Sequence, residues 1–277
     1  MIGPVLALLA AVALNGSYLL QHAGSVHAVA ITPLRPVRTF ASLLRSPLWT
    51  VGAVAGLSGW ALHVAALRHA PLSLVQAFVA GGLALTVPAG ALALRQTLSS
   101  AERQALALMV LALLALALGL PSASAGRTFS GPGLAAWTAA LGAIAAALAS
   151  RGRGVPAALG VAGGLLYGAA DLAIKALTSL PDPFSARGAP WLAVAAVATA
   201  GAFFAFQRGL QGLRPLPVIA LMTTATNVAS IAGAFVVFGD PLGRTPGLAA
   251  LHALAFALVA ASAWRLAPAQ ARLVVAD

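Results

Sequence analysis

The sequence predicts an all-α polytopic membrane protein of nine transmembrane helices in two inverted repeats, and three observations carry that prediction. Apolar residues make up 61% of the 277 residues and charged residues only 8%, whereas a water-soluble domain is about half apolar and about a quarter charged. The apolar residues gather in stretches close to the roughly 20 residues that a helix needs to cross a bilayer. The third observation is an internal match between the two halves of the chain. A disordered chain would carry the opposite compositional bias.

The first span is Pro4–Gln21. No Lys or Arg precedes Arg35, so the basic n-region of a signal peptide is missing and the segment is expected to remain as a helix. The sequon Asn15-Gly16-Ser17 lies inside this apolar helix and is discounted for glycosylation. The connection from His22 to Pro47 holds Arg35, Arg38 and Arg45, and its stretch around Val37 to Leu44 suits a short helix lying in the interface. Eight further spans are predicted at Leu48–Leu67, Leu72–Leu94, Gln104–Leu120, Leu134–Ser150, Pro156–Leu177, Trp191–Gln207, Leu216–Phe238 and Leu248–Leu266. Pro, Gly, Ser and Arg fill the breaks between them, as helix ends require. The fourth span is almost only Leu and Ala. It is expected to face lipid or another protomer, which leaves room for a homo-oligomer.

Sixteen basic against five acidic residues give a net charge of +11. In a soluble protein that balance would suggest nucleic acid. Here the arginines stand singly or in pairs between apolar segments, so no nucleic-acid partner is expected. The charge is an orientation signal for the lipid bilayer or a contact with anionic headgroups. With the N-terminus outside, the inner side holds Arg35, Arg38, Arg45, Arg95, Arg103, Arg151, Arg153, Arg208, Arg214, Arg265 and Arg272. The outer side then holds Arg68, Arg127, Lys175, Arg187 and Arg244. Eleven against five predicts a multi-pass protein of the cell membrane with a cytoplasmic C-terminus. Lys175 is the one lysine among the basic residues, the bias of a GC-rich coding sequence and of a bacterial source. The chain has no cysteine, which excludes disulfides, thiolate metal sites, iron–sulfur clusters and cysteine nucleophiles.

The internal match appears at two offsets. At 144 residues, Pro71 falls on Pro215, Leu72 on Leu216, His63 on Gln207, Gln96 on Asp240 and Leu98 on Leu242. At 152 residues, Pro4 falls on Pro156, Leu14 on Leu166, Gly16 on Gly168 and Leu20 on Leu172. Residues 1–127 thus form a first repeat of four helices, 128–155 a linking helix, and 156–277 a second repeat with a short tail. Five helices separate each equivalent pair, and an odd number reverses direction through the membrane. Inverted repeats are a transporter architecture with the substrate between the halves near the midplane.

Residues 66–99 and 212–243 also carry a resemblance. The first begins Ala66-Leu67-Arg68-His69-Ala70-Pro71-Leu72, and the second ends Gly239-Asp240-Pro241-Leu242-Gly243. They resemble the third and eighth helices of the EamA-like drug/metabolite transporter superfamily, where an Ala-Leu-x-x-x-Pro-Leu start leads to a helix ending near Gly-Glu-x-Leu-Ser. Arg95-Gln96-Thr97-Leu98-Ser99 departs from that ending, losing the Gly and the acid. Nine helices with a long first loop look more like the NIPA-type magnesium-transporter branch than the usual ten. The resemblance implies alternating-access transport of a small solute and leaves the solute open.

The sixth predicted helix holds the most unusual residues. Gly160, Gly164 and Gly168 recur every four residues, a stripe that lets another helix approach closely. Tyr167, Asp171 and Lys175 follow at the same spacing on an adjoining face. Asp171 is the only acid inside a predicted span, where a charge costs about 2.5–3.5 kcal/mol on the insertion scale. It is either a local ion-pair partner of Lys175, whose ammonium would snorkel outward, or a carboxylate that binds a proton or substrate. Asn15, Tyr18 and His22 form a polar stripe on the first helix, suited to interhelical hydrogen bonds or a cavity wall. His63 and Gln207 are equivalent by the repeat. Thr223, Thr226, Asn227 and Ser230 form a stripe on the eighth helix, where Thr and Ser can bond their own backbone. Gln76 and Thr86 are weaker cavity candidates. Trp60, Phe203 and Phe206 suit a cavity wall or packing, while Trp49, Trp191 and Trp264 suit interface anchors.

These residues predict a secondary transporter that moves a small organic solute by alternating access, with a cavity between helices one to three and six to eight. A divalent-cation transporter is the alternative that the NIPA-type resemblance implies. Magnesium wants hard oxygen ligands, and one intramembrane Asp facing a Lys is a poor site for it, so a metal site is left open. A non-transporting membrane scaffold is the second alternative. No nucleophile triad, phosphate loop or spaced His/Asp/Glu cluster occurs, so neither enzyme activity nor a cofactor is expected.

Overall fold

The computed structural model describes residues 2–25, 28, 31–82, 84–85, 88, 91–92, 97–118, 128–151, 155–211, 215–241 and 245–272. Among them are ten helices and no strand: α1 Ile2–Ser25, α2 Pro36–Leu44, α3 Pro47–His69, α4 Leu72–Gly81, α5 Ser100–Ala117, α6 Gly131–Arg151, α7 Pro156–Ser179, α8 Ala189–Leu210, α9 Pro215–Phe238 and α10 Pro246–Arg272. Among the described residues, six helices are long and apolar enough to cross a membrane: α1, α3, α6, α7, α8 and the Leu221–Phe238 part of α9. Leu72–Gly81 and Pro246–Val259 are shorter apolar helices. Each of the nine predicted segments overlaps one of these helices, and α2 occupies the stretch expected to lie in the interface. Thr86, Arg95, Gln96, Arg127, Arg153, Arg214, Leu242, Gly243, Arg244 and the Trp264 side chain lie outside the described residues.

Local chemistry sets the helix ends. Pro47 and Pro156 open α3 and α7 at positions where a missing N–H costs nothing. The Ser46 hydroxyl accepts from Trp49 N (3.4 Å) at the start of α3. Ser99 and Glu102 form a reciprocal capping box on α5, with Ser99 N donating to Glu102 Oε2 at 2.8 Å. Helix α3 stops at Ala70, which is extended (φ −149°, ψ 159°) because Pro71 follows it.

Helix α1 packs along α3, and α7 packs against α8, α9 and α6 and also touches α3. Helix α5 lies against α10, and α4 touches α1, α9 and α10. Outward faces stay apolar: Val51, Val54 and Leu57 of α3, Leu111 and Leu114 of α5 and Val197 of α8 are all exposed. Such a surface would be an association hazard in water but suits contact with lipid.

Glycines allow two close helix pairs, α1 with α3 and α7 with α9. On α3, a Cβ at Gly52 would lie 2.9 Å from Leu20 Cβ, and one at Gly59 3.0 Å from Leu14 N. On α7, a Cβ at Gly160 would lie 2.8 Å from the Val218 carbonyl oxygen, one at Gly164 would run into the Met222 carbonyl, and one at Gly168 would lie 2.7 Å from Ala229 Cβ. The glycine stripe of α7 is therefore the contact with α9. Thr226 adds a hydrogen bond across it, its hydroxyl shared between Met222 O (2.9 Å) and Gly164 O (3.1 Å). Gly164→Leu is expected to abolish monodisperse protein on size-exclusion chromatography. Gly142→Leu, where a Cβ meets nothing within 4 Å, should leave yield unchanged. Equal yields would contradict this packing.

Candidate functional site

Asp171 projects from the middle of α7 and collects partners from three other helices. Its Oδ2 accepts from Gln76 Nε2 of α4 (2.5 Å) and from Ser230 Oγ of α9 (3.2 Å). Its Oδ1 lies 3.3 Å from His63 Nε2 of α3. This last contact is proximity without hydrogen-bond alignment, and both His63 ring nitrogens lack a hydrogen-bond partner although the ring is buried. An uncompensated buried charge costs several kcal/mol. The amide, hydroxyl and imidazole offset that cost without filling every acceptor position of the carboxylate.

A cavity of about 500 Å³ begins at this cluster. Asn15, Tyr18, His63, Gln76, Tyr167, Asp171, Thr223 and Asn227 all line it, drawn from α1, α3, α4, α7 and α9. Its remaining walls are largely aromatic and aliphatic, including Trp49, Trp60, Phe203 and Phe206. Tyr18 and Tyr167 both meet Phe206 edge-on, at centroid distances of 5.3 and 6.5 Å. Phe40 of α2 stacks on Phe203 (5.2 Å, 12°), so the short helix covers one end of the cavity. Trp49 is therefore a buried wall residue and not an interface anchor.

Lys175 is elsewhere. Its ammonium is buried and donates to the Leu67 and Ala70 carbonyls, both at 2.9 Å. Those carbonyls end α3, where a cation also meets the negative end of the helix dipole. Two expectations are corrected by this. Lys175 is not among the cavity-lining residues, and it turns to the end of α3 instead of snorkelling outward or closing a local pair with Asp171. The same corner is held from the other side. Asp240 Oδ2 accepts from Ser73 N (2.8 Å) and Ser73 Oγ (2.7 Å) at the start of α4. Lys175 and Asp240, both from the second half of the chain, thus clasp the α3–α4 turn by its two helix ends. Burial pushes the Asp240 carboxyl above its ordinary range, against the opposing pull of Ser73 and Lys175.

Gln207 also sits just behind the cavity wall. Its amide donates to Gln21 Oε1 and accepts from Trp49 Nε1 (3.4 Å). His22 leaves the predicted stripe and donates through Nδ1 to the Leu210 carbonyl at the end of α8 (3.0 Å). Gln211 accepts from Ile31 N at 2.9 Å, tying the α8–α9 turn to the segment after α1. Gln21, Gln211 and the Ser73–Asp240 tie escape sequence reasoning. The signals for Asp240 are its repeat match with Gln96 and its place in Gly239-Asp240-Pro241-Leu242-Gly243.

A carboxylate, an imidazole and an amide make a poor cage for a hard dication. Among the described residues no group of three or more His, Asp or Glu could hold a metal ion. The cluster suits recognition of a polar group at one end of an apolar chamber.

The clasp gives a measurable expectation. Asp240→Ala removes the acceptor for both Ser73 donors and should cost about 1–3 kcal/mol of stability. Asp240→Asn keeps an acceptor and should cost less than half of that. Because the native carboxyl is raised, the folded wild type holds this proton more tightly than the unfolded chain. Its stability relative to Asp240→Asn should therefore fall as pH rises from about 4 through the raised value. Thermal unfolding in detergent across that range checks both points, and identical losses for the two variants would contradict the clasp.

No family model, curated protein or solved structure matches this chain, so its chemistry rests on its own residues.

Proposed function

We propose that the chain is a secondary transporter of the drug/metabolite type, nine spans in two inverted repeats, moving a small organic solute by alternating access. The observation that carries this reading is the cavity of about 500 Å³, lined from both halves of the chain and ending on Asp171. A transporter needs such a chamber near the midplane, between repeats. A scaffold has no use for a carboxylate there.

The packing supports the repeat. Helix α1 pairs with α3 as α7 pairs with α8, α1 touches α4 as α7 touches α9, and α5 pairs with its own counterpart α10. The helix ends follow the same rule. The α3–α4 turn is held by Lys175 of α7, and the α8–α9 turn by His22 of α1. Each half's first helix thus ends on the corresponding turn of the other half. Releasing one turn while keeping the other is the change that alternating access requires.

The absence of cysteine makes the test direct. A single cysteine at Thr223, on the cavity wall, should react with a membrane-impermeant maleimide from either face of oriented vesicles. Reaction from one face only, under all conditions, would contradict alternating access and favour the scaffold. Reporter fusions should find the N-terminus outside and the C-terminus inside. Both ends on the same side would contradict nine spans.

A further inference from the structure

The charge and hydrogen-bonding capacity of the cavity define its ligand further. We propose that it takes a protonated primary or secondary amine carried on an aromatic or apolar body, an inference that rests on reading this cavity as a solute site. Asp171 is the one acid lining the cavity, and no lysine or arginine lines it among the described residues. A solute carboxylate would find no fixed cation there. A solute ammonium finds a fixed anion that remains 13% exposed, whereas His63 beside it is 5% exposed.

The second observation is independent of that charge. His63 is buried, lines the cavity, and neither of its ring nitrogens meets a hydrogen-bond partner. An orphaned buried ring nitrogen costs free energy unless something supplies its partner. A neutral imidazole keeps one acceptor nitrogen, and here the ring lies beside Asp171. Asp171 and His63 then both ask for N–H donors at one end of the chamber. An ammonium with two or three N–H groups satisfies both, and a quaternary ammonium has none to give. The walls include the aromatic rings of Tyr18, Tyr167 and Trp60, and such rings suit an apolar body and attract cations.

A matched series on one skeleton tests the assignment: 2-phenylethylammonium, its N,N,N-trimethyl analogue, 2-phenylethanol and 3-phenylpropanoate. Binding to the purified full chain is read by calorimetry and by thermal shift at neutral pH. The primary ammonium should bind more than about tenfold tighter than each of the other three, the margin expected for hydrogen bonds to a charged group. Asp171→Asn should lose at least about tenfold of that affinity and leave 2-phenylethanol within about twofold. His63→Gln, which keeps a polar side chain, should narrow the margin between the primary and quaternary ions. Equal or tighter binding of the alcohol or the carboxylate, or no binding by any of the four, would overturn the amine assignment. So would an unchanged ammonium affinity in Asp171→Asn. If that variant does not fold, the wild-type series decides alone. Labelling at position 223 needs no solute, so failure here leaves alternating access standing, and failure there is separately visible.

Discussion

A carboxylate in the middle of an apolar helix must be satisfied by protein, because lipid supplies no hydrogen bonds. Asp171 meets that constraint only if α3, α4 and α9 all come to α7, since His63, Gln76 and Ser230 arrive from those helices. The glycine stripe makes the last approach sterically available. Gly168 lies against Ala229 and close to Ser230 Oγ, so the contact that brings α9 in also brings the hydroxyl within reach of the carboxylate. Packing and electrostatics are thus one problem here. The partners leave part of the carboxylate facing the chamber, which is what a binding site needs.

The helix ends answer the same constraint. The last carbonyls of α3 and the first amides of α4 meet at a buried corner, where unpaired backbone groups would be costly. Lys175 supplies donors to one and Asp240 an acceptor to the other. His22 does the equivalent for the last carbonyl of α8. Side chains that cap another helix tie the halves together: a shift of α7 or α1 along its axis would have to break or carry the turn that it holds.

Much of this was legible in the sequence, for physical reasons. Apolar stretches of bilayer length can do little other than form helices. Glycines four apart mark a close helix contact because no larger residue fits there, and Gly160, Gly164 and Gly168 do make it. Polar residues inside apolar helices must turn inward, which is why Asn15, Tyr18, His63 and Asn227 meet at one cavity. What escaped is long-range pairing. Spacing rules see neighbours on one helix, so Asp171 was matched with Lys175 one turn away. One of its observed partners, Gln76, is 95 positions distant, and Lys175 bonds carbonyls 105 and 108 positions away. Backbone carbonyls leave no mark in a sequence. Gln207, the repeat mate of His63, was placed in the cavity by symmetry, but Gln21 and Trp49 hold it behind the wall.

Asp171 belongs to the cluster with His63, and Lys175 belongs to the end of α3. Two double-mutant cycles on unfolding stability separate these roles, because they isolate the pairwise term. Asp171→Asn with His63→Gln should show a coupling energy of about 1 kcal/mol or more. Asp171→Asn with Lys175→Met should be additive within about 0.5 kcal/mol. Strong coupling in the second cycle with additivity in the first would contradict the account, and would make Asp171 the local counter-ion of Lys175.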